Sequence, residues 1–324
     1  MSGKTRLLAA LGITVTLVAA GAWITKPPGL SPTPPTAAVP AAVDRYLQER
    51  EAAAEKEFGL TPGAQKRVVW AGEPGQRSEY ALVYLHGFSA TRQEIAPVPE
   101  LIARELGANL FETRLAGHGR AQQQLAGVSA EDWMNDGAEA LAVARNLGDK
   151  IILMGTSTGA TVALAMARHP DFALVDSLVL VSPNFGPAGS GSGMVTGPYG
   201  PQLARLLLGE RRSWTAANPL QEKYWSTDYP TAAIVEMMRL VNLAVMLTPE
   251  AGAPNAMLVY SPRDDVVSVS KLLEGFAALP APRKKIHKVD EPQSLSPHVL
   301  TGDILAPGTS ADIARLISAY IARS

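Results

Sequence analysis

Apolar and polar positions fall into three regimes along this 324-residue chain. From Leu7 to Ile24 the residues are uncharged and mostly apolar, directly after Lys4 and Arg6. Residues 26–40 (KPPGLSPTPPTAAVP) carry prolines at a density that suits neither helix nor strand. From Lys66 onward, short apolar runs alternate with longer amphipathic ones. The short runs predict strands at Arg67–Trp70, Tyr80–Leu85, Asn109–Glu112, Ile151–Met154, Ser177–Val181, Ala256–Tyr260 and Lys285–Val289. The longer ones predict helices at Gln93–Leu106, Ala130–Leu147, Thr158–His169, Val269–Ala278 and Ser310–Ala322. This rhythm predicts an α/β fold with a mainly parallel sheet covered by helices on both faces, in which ligands gather at the carboxyl ends of the strands.

The rhythm breaks once. Between Pro183 and Ala253 the chain is rich in Gly and Pro, then helical around Gln202–Leu208 and Thr231–Leu247, with no convincing strand. Structureless loops of that length are improbable, so the block predicts an inserted, largely helical lid over about 184–253. Trp214, Tyr224, Trp225, Met237 and Met238 either line an apolar pocket or form the lid's own core, and ordinary packing favours core for most of them. Ala41–Phe58 has helical composition and mixed charge, which predicts a solvated lead-in helix to a domain spanning residues 41–324.

As a helix, Leu7–Ile24 would be about 27 Å long, close to the hydrocarbon thickness of a bilayer. That exceeds the usual apolar core of a secretory signal and favours a retained anchor in residues 1–25, whereas Ala20-Gly21-Ala22 resembles a cleavage site. With Lys4 and Arg6 on the cytoplasmic side, the rest of the chain is expected outside the inner membrane, tethered to it or secreted after cleavage. The proline-rich residues 26–40 then read as a stiff spacer lifting the domain off the bilayer.

Composition narrows the chemistry. A formal net charge of −1 gives no basic surface for nucleic acid. No cysteine is present, which excludes disulfides, thiolate metal sites and a cysteine nucleophile. A hydrophobic content of 47% suits a globular domain with a large core.

The stretch IILMGTSTGATVALAMARHP runs from a buried strand into a helix, with Ser157 between Gly155 and Gly159. Gly and Ser are ordinary turn residues, and a short GxSxG string also arises by chance. The preceding apolar run and the following helix give it the context of a nucleophile elbow, in which a strained serine stands above the sheet and bulky neighbours would clash. A serine nucleophile needs a base, and the base a carboxylate. Of the five histidines, His169 reads as a helix-end residue and His287 as a strand residue, while His86 and His118 sit in loops beside glycines. His298 follows the last strand and completes the Ser, Asp, His order of this type of fold, so it is the candidate base. Asp264 and Asp265 follow Ala256–Tyr260, and either is a candidate acid or an ordinary turn-former.

Taken together, LHGF, GTSTG, SPRDDVV and SPHVL, in this order, resemble the alpha/beta-hydrolase superfamily, most closely its lidded carboxylesterase and monoacylglycerol-lipase-like branch, from about Lys66 to the C-terminus. The resemblance implies Ser157 as nucleophile, Asp264 as acid and His298 as base, with the backbone N–H groups of Phe88 and Thr158 as an oxyanion hole. Counting back from the pair Val266 and Val267 gives Asp264 this role and leaves Asp265 facing solvent. It implies a serine esterase acting on small or lipid-like esters, without metal or organic cofactor. An acyltransferase or thioesterase would use the same groups, and a catalytically weak binding protein the same fold. Departures from the family pattern are Ser261 where a glycine commonly opens the acid loop, and a segment rich in small residues after Leu300.

Overall fold

A computed structural model of the chain describes residues 25–189, 192–247, 253–290 and 294–323, and the apolar run Leu7–Ile24 lies outside them. Seven strands form one sheet: β1 (Arg67–Val69), β2 (Ser78–Leu85), β3 (Asn109–Glu112), β4 (Gly148–Thr156), β5 (Val175–Val181), β8 (Asn255–Tyr260) and β9 (Lys284–Lys288). Their order is β1-β3-β2-β4-β5-β8-β9, with β1 antiparallel to β3 and every other pairing parallel. The central strands are apolar on both sides because helices cover both faces. Val83 and Leu85 of β2, Leu153 of β4 and Leu258 of β8 face one core, and Leu82, Tyr84, Met154 and Val259 face the other.

On the first face lie α1 (Val43–Phe58), α3 (Ala130–Leu147), α4 (Thr158–Ala165) and α8 (Val269–Ala278); on the second, α2 (Val98–Leu106) and α9 (Ser310–Ile321). Helix α3 starts at a capping box in which Ser129 and Asp132 satisfy each other's backbone N–H. Its small residues, Gly137, Ala138, Ala140, Ala142 and Ala144, are buried and allow close approach to the sheet and α4.

Several expected elements differ in detail. The helix anticipated at Gln93–Leu106 is a 3₁₀ turn, Arg92–Glu94, followed by α2 from Val98, because Pro97 interrupts the hydrogen-bond ladder. The helix after Ser157 stops at Ala165, and His169 instead accepts from Asp171 N–H to start a 3₁₀ turn. The lead-in helix α1 is not solvated all round: Val43 and Leu47 join the core, and Glu51 is buried. Beneath it, Arg114 grips Glu51 through two bonds of 2.8 and 2.9 Å, Tyr46 and Arg50 reach Glu139, and Lys66 pairs with Asp136 and Glu139.

Nor do residues 26–40 stand away as a spacer. Leu30 and Ala37 pack against the core, Val39 is buried, and Pro28 O accepts from Arg239 Nε at 3.1 Å. Proline fixes the backbone of this segment, so little further conformational freedom is lost when it lies along the domain.

Between β5 and β8 the insertion contains α5 (Gly200–Leu208), β6 (Arg211–Ser213), α6 (Pro219–Tyr224), β7 (Asp228–Pro230) and α7 (Thr231–Ala244). Antiparallel β6 and β7 form a small ribbon that no apolar alternation announces. Helix α7 packs on α4, which joins the insertion to the strand ends.

Candidate active site

Strand β4 delivers Ser157 at the carboxyl edge of the sheet. Its φ of 51° and ψ of −117° are an unfavourable combination for a residue with a side chain, a conformation that costs on the order of 1–3 kcal/mol and must be held by its surroundings. Ser157 N–H donates to Val181 O at 2.9 Å, while Ser157 O accepts from Asn184 N–H at 3.1 Å and from the first turn of α4. Close packing explains the flanking glycines: a Cβ on Gly159 would come within 2.0 Å of Leu85 O, and one on Gly155 within 2.5 Å of Ala160 N. Both obstacles are backbone and cannot rotate away.

The loop after β8 holds Asp264 buried, with Oδ1 accepting from Val266 N–H at 2.9 Å and Val267 N–H at 3.0 Å. Its other oxygen, Oδ2, lies 2.7 Å from His298 Nδ1. Asp265 points into solvent. The His298 backbone is fixed by Ser182 Oγ, which donates to His298 O at 2.8 Å. Because Nδ1 faces a carboxylate, its proton belongs there, and Nε2 is the ring nitrogen left to accept a proton.

The loop after β2 carries Phe88. On either side of it, Gly87 N–H donates to Glu94 Oε2 at 2.7 Å and Ser89 N–H donates to His118 Nε2 at 3.0 Å. Between them the Phe88 N–H has no protein acceptor among the described residues, and neither has the N–H of Thr158 in the first turn of α4. His86, from the same loop, accepts Leu115 N–H on Nε2 at 3.0 Å, so the loops after β2 and β3 exchange one histidine bond in each direction. Burial depresses both imidazoles, His118 to about 4 and His86 well below the usual range, so both are neutral near pH 7 and can act as acceptors. The Phe88 ring is held edge-on by His118, Trp133 and Tyr229.

Ser157, Thr158, Phe88 and His298 line one cavity of about 410 Å³. Trp214, Trp225 and Met237 of the insertion line it too, so three of the five large side chains expected mostly as packing face the cavity; Met238 is buried in the insertion and Tyr224 packs beside the second core. Glu94 and Asn184 also reach the cavity without having been anticipated. Glu94 is buried and its pKa is raised by that burial; Asn184 Nδ2 lies 3.4 Å from Thr158 Oγ1. The expected helix Gln93–Leu106, with Glu94 in its first turn, gave no sign that Glu94 turns inward.

Residues 82–310 match the sequence model of the alpha/beta hydrolase family. No curated protein matched the chain by sequence. Among solved structures, one reported for LipS and LipT, two metagenome-derived lipolytic enzymes, is similar with a TM-score of 0.66 at 18% identity, covering 82% of this chain and 100% of that one. Monoacylglycerol lipase of Paleococcus ferrophilus is similar with a TM-score of 0.58 at 17% identity, over 80% of this chain and 98% of its own. A soluble variant of monoglyceride lipase from Saccharomyces cerevisiae, in complex with a substrate analogue, follows at 0.57 and 10% identity, over 80% and 91%. At these identities the likeness is one of fold.

Proposed function

Since the chain belongs to the alpha/beta hydrolase family, we propose that it hydrolyses carboxylic esters, with Ser157 as nucleophile, His298 as general base and Asp264 as the acid that orients the base. The observation that carries this reading is that His298, held 2.7 Å from a buried Asp264, lines the same cavity as a strained serine. His298 Nε2 takes the Ser157 proton as Oγ attacks the ester carbonyl, and then passes it to the departing alcohol. Water, deprotonated by the same nitrogen, next attacks the acyl-enzyme and releases the acid. The free N–H groups of Phe88 and Thr158 receive the negative oxygen of each tetrahedral intermediate; loss of one such donor typically costs about 2.7–4 kcal/mol of transition-state stabilisation.

The cavity favours uncharged acyl groups because Trp214, Trp225, Tyr229, Ile234 and Met237 supply most of its insertion-side wall. In this reading the insertion serves as the lid over the strand ends. Rates on nitrophenyl acetate, butyrate, octanoate and palmitate test it: butyrate or octanoate is expected to be fastest. A clear preference for palmitate would overturn the proposed size range, and absence of turnover on all four would count against ester hydrolysis itself.

For residues 1–25 the proposal remains a membrane anchor, supported by the uncharged length of Leu7–Ile24 behind two basic residues, with residues 41–324 outside the inner membrane. Among the described residues no helix is long and apolar enough to cross a membrane, and the apolar run is outside that set.

A further inference from the structure

Glu94 is a carboxylate that the proposed triad does not use. The residue is 2% exposed and lines the cavity with Ser157 and His298. Oε2 accepts from Gly87 N–H at 2.7 Å and from Tyr84 O–H at 3.0 Å, whereas Oε1 accepts from no described residue and is the oxygen left for the cavity. Buried carboxylates are ordinarily paired with a cation. Among the described residues no lysine or arginine is paired with Glu94, and burial raises its pKa against the opposing pull of Gly87 N–H, His298 and Tyr84.

The order of the strands divides the cavity about Ser157. Across the sheet β2, β4, β5 and β8 are neighbours in that order. Ser89 and Glu94 lie past β2, on one side of Ser157 at the end of β4; Asn184 and Pro187 past β5, with Val266 and Val267 past β8, lie on the other. The insertion follows the same division. Ser226 N–H donates to Ser89 O at 2.6 Å and Trp225 packs in the core that holds Ala90 and Ile95, which sets its indole at the Glu94 end. Met237 of α7 instead has its sulfur 3.5 Å from Asn184 Nδ2, at the other end. One end of the cavity is therefore largely hydrocarbon, from Pro187, Met237, Val266 and Val267, and the other sets an open carboxylate oxygen near an indole ring. Such a pairing, screened from bulk water, attracts an ammonium group both by charge and through the ring.

We infer that the Glu94 end of the cavity binds the alcohol half of the ester and selects alcohols carrying an ammonium group, which donates to Glu94 Oε1 while the acyl chain occupies the hydrocarbon end. A neutral hydroxyl would supply the hydrogen bond and leave the buried charge without a counter-ion, so the cation is the better match. This rests on the reading of the chain as an ester hydrolase, and it makes Glu94 a determinant of specificity.

The test compares 2-(dimethylamino)ethyl butyrate with 3-methylbutyl butyrate near pH 7, using the full chain. The two esters have the same shape, and only the first is cationic. Wild type is expected to favour the ammonium ester by about tenfold or more in kcat/KM, and Glu94→Gln to bring the ratio close to one. Glutamine keeps a carbonyl oxygen for Gly87 N–H and Tyr84 O–H, and a general loss of activity cancels in a ratio taken within one variant. A preference that survives in Glu94→Gln, or a wild-type ratio near one with both esters turned over, would overturn the cation site and leave ester hydrolysis standing. Binding gives a second readout that needs neither turnover nor a change at Glu94. Calorimetric titration of Ser157→Ala should show the ammonium ester bound about tenfold more tightly than its neutral counterpart, and equal affinities would overturn the inference. Tenfold discrimination there, with neither ester hydrolysed by wild type, would count against ester hydrolysis and retain the cation site.

Discussion

Replacing Ser157 by alanine is expected to lower ester turnover by about 10⁶-fold, the scale seen when the nucleophile of a comparable triad is removed. His298 and the two free N–H groups would remain, but with no oxygen to attack they could only assist water. The substitution removes one hydroxyl from a side chain that lines the cavity, and the backbone bonds to Val181 and Asn184 do not involve it. Stability should therefore be unchanged or slightly raised, since alanine removes no packing and the strained backbone stays anchored from both sides. The check is paired: thermal unfolding of both proteins, and labelling with a serine-directed fluorophosphonate. Labelling of Ser157→Ala at the wild-type rate would mean that another serine is the nucleophile.

Asparagine at 264 is expected to cost about 10⁴-fold in turnover, and asparagine at 265 less than about twofold. The reasoning lies in the two oxygens of Asp264. Oδ1 accepts from the N–H groups of Val266 and Val267, so an asparagine must keep its carbonyl oxygen there. Its NH₂ then faces His298 Nδ1, the position Oδ2 occupies at 2.7 Å, and a donor facing that nitrogen forces the proton onto Nε2. With the wrong tautomer, the ring cannot accept a proton from Ser157. Asp265 faces solvent, and its exchange alters a surface charge only. Both variants should be assayed after circular dichroism has shown them folded. A crippled Asp265→Asn beside a near-normal Asp264→Asn would reverse the assignment.

The parts of this structure that one segment determines by itself were legible in the sequence. All seven sheet strands lie within a few residues of the expected positions; the central ones announce themselves as apolar runs because strands covered on both faces leave little place for polar side chains, whereas edge strand β9, KKIHK, keeps Lys284 and Lys288 exposed. The strained turn at Ser157 was legible for a similar reason: the close approach of Gly159 to Leu85 O leaves room for no side chain, and the glycines mark it. What needed the structure were contacts between distant segments. Ser182 and His298 are 116 residues apart, and nothing in SPNF or SPHVL forecasts their bond. Glu94 sits in a turn that resembles a helix start, and its inward aim follows from Gly87 and Tyr84, which bind it. Trp214 and Trp225 illustrate another limit, because hydrophobic pattern records that a side chain avoids water but not whether protein or cavity stands opposite it.

The ion pairs beneath α1 determine where this polypeptide can be trimmed. A protease that cut between Phe58 and Lys66, and so released α1, would take from Arg114 its two bonds to Glu51 and from the core the buried side chains of Val43 and Leu47, each such apolar burial being worth about 1.5–3 kcal/mol, together a large part of a typical domain's stability. Tyr46 and Arg50 would also leave Glu139. Any shortened form that keeps the domain intact must therefore begin before Val43.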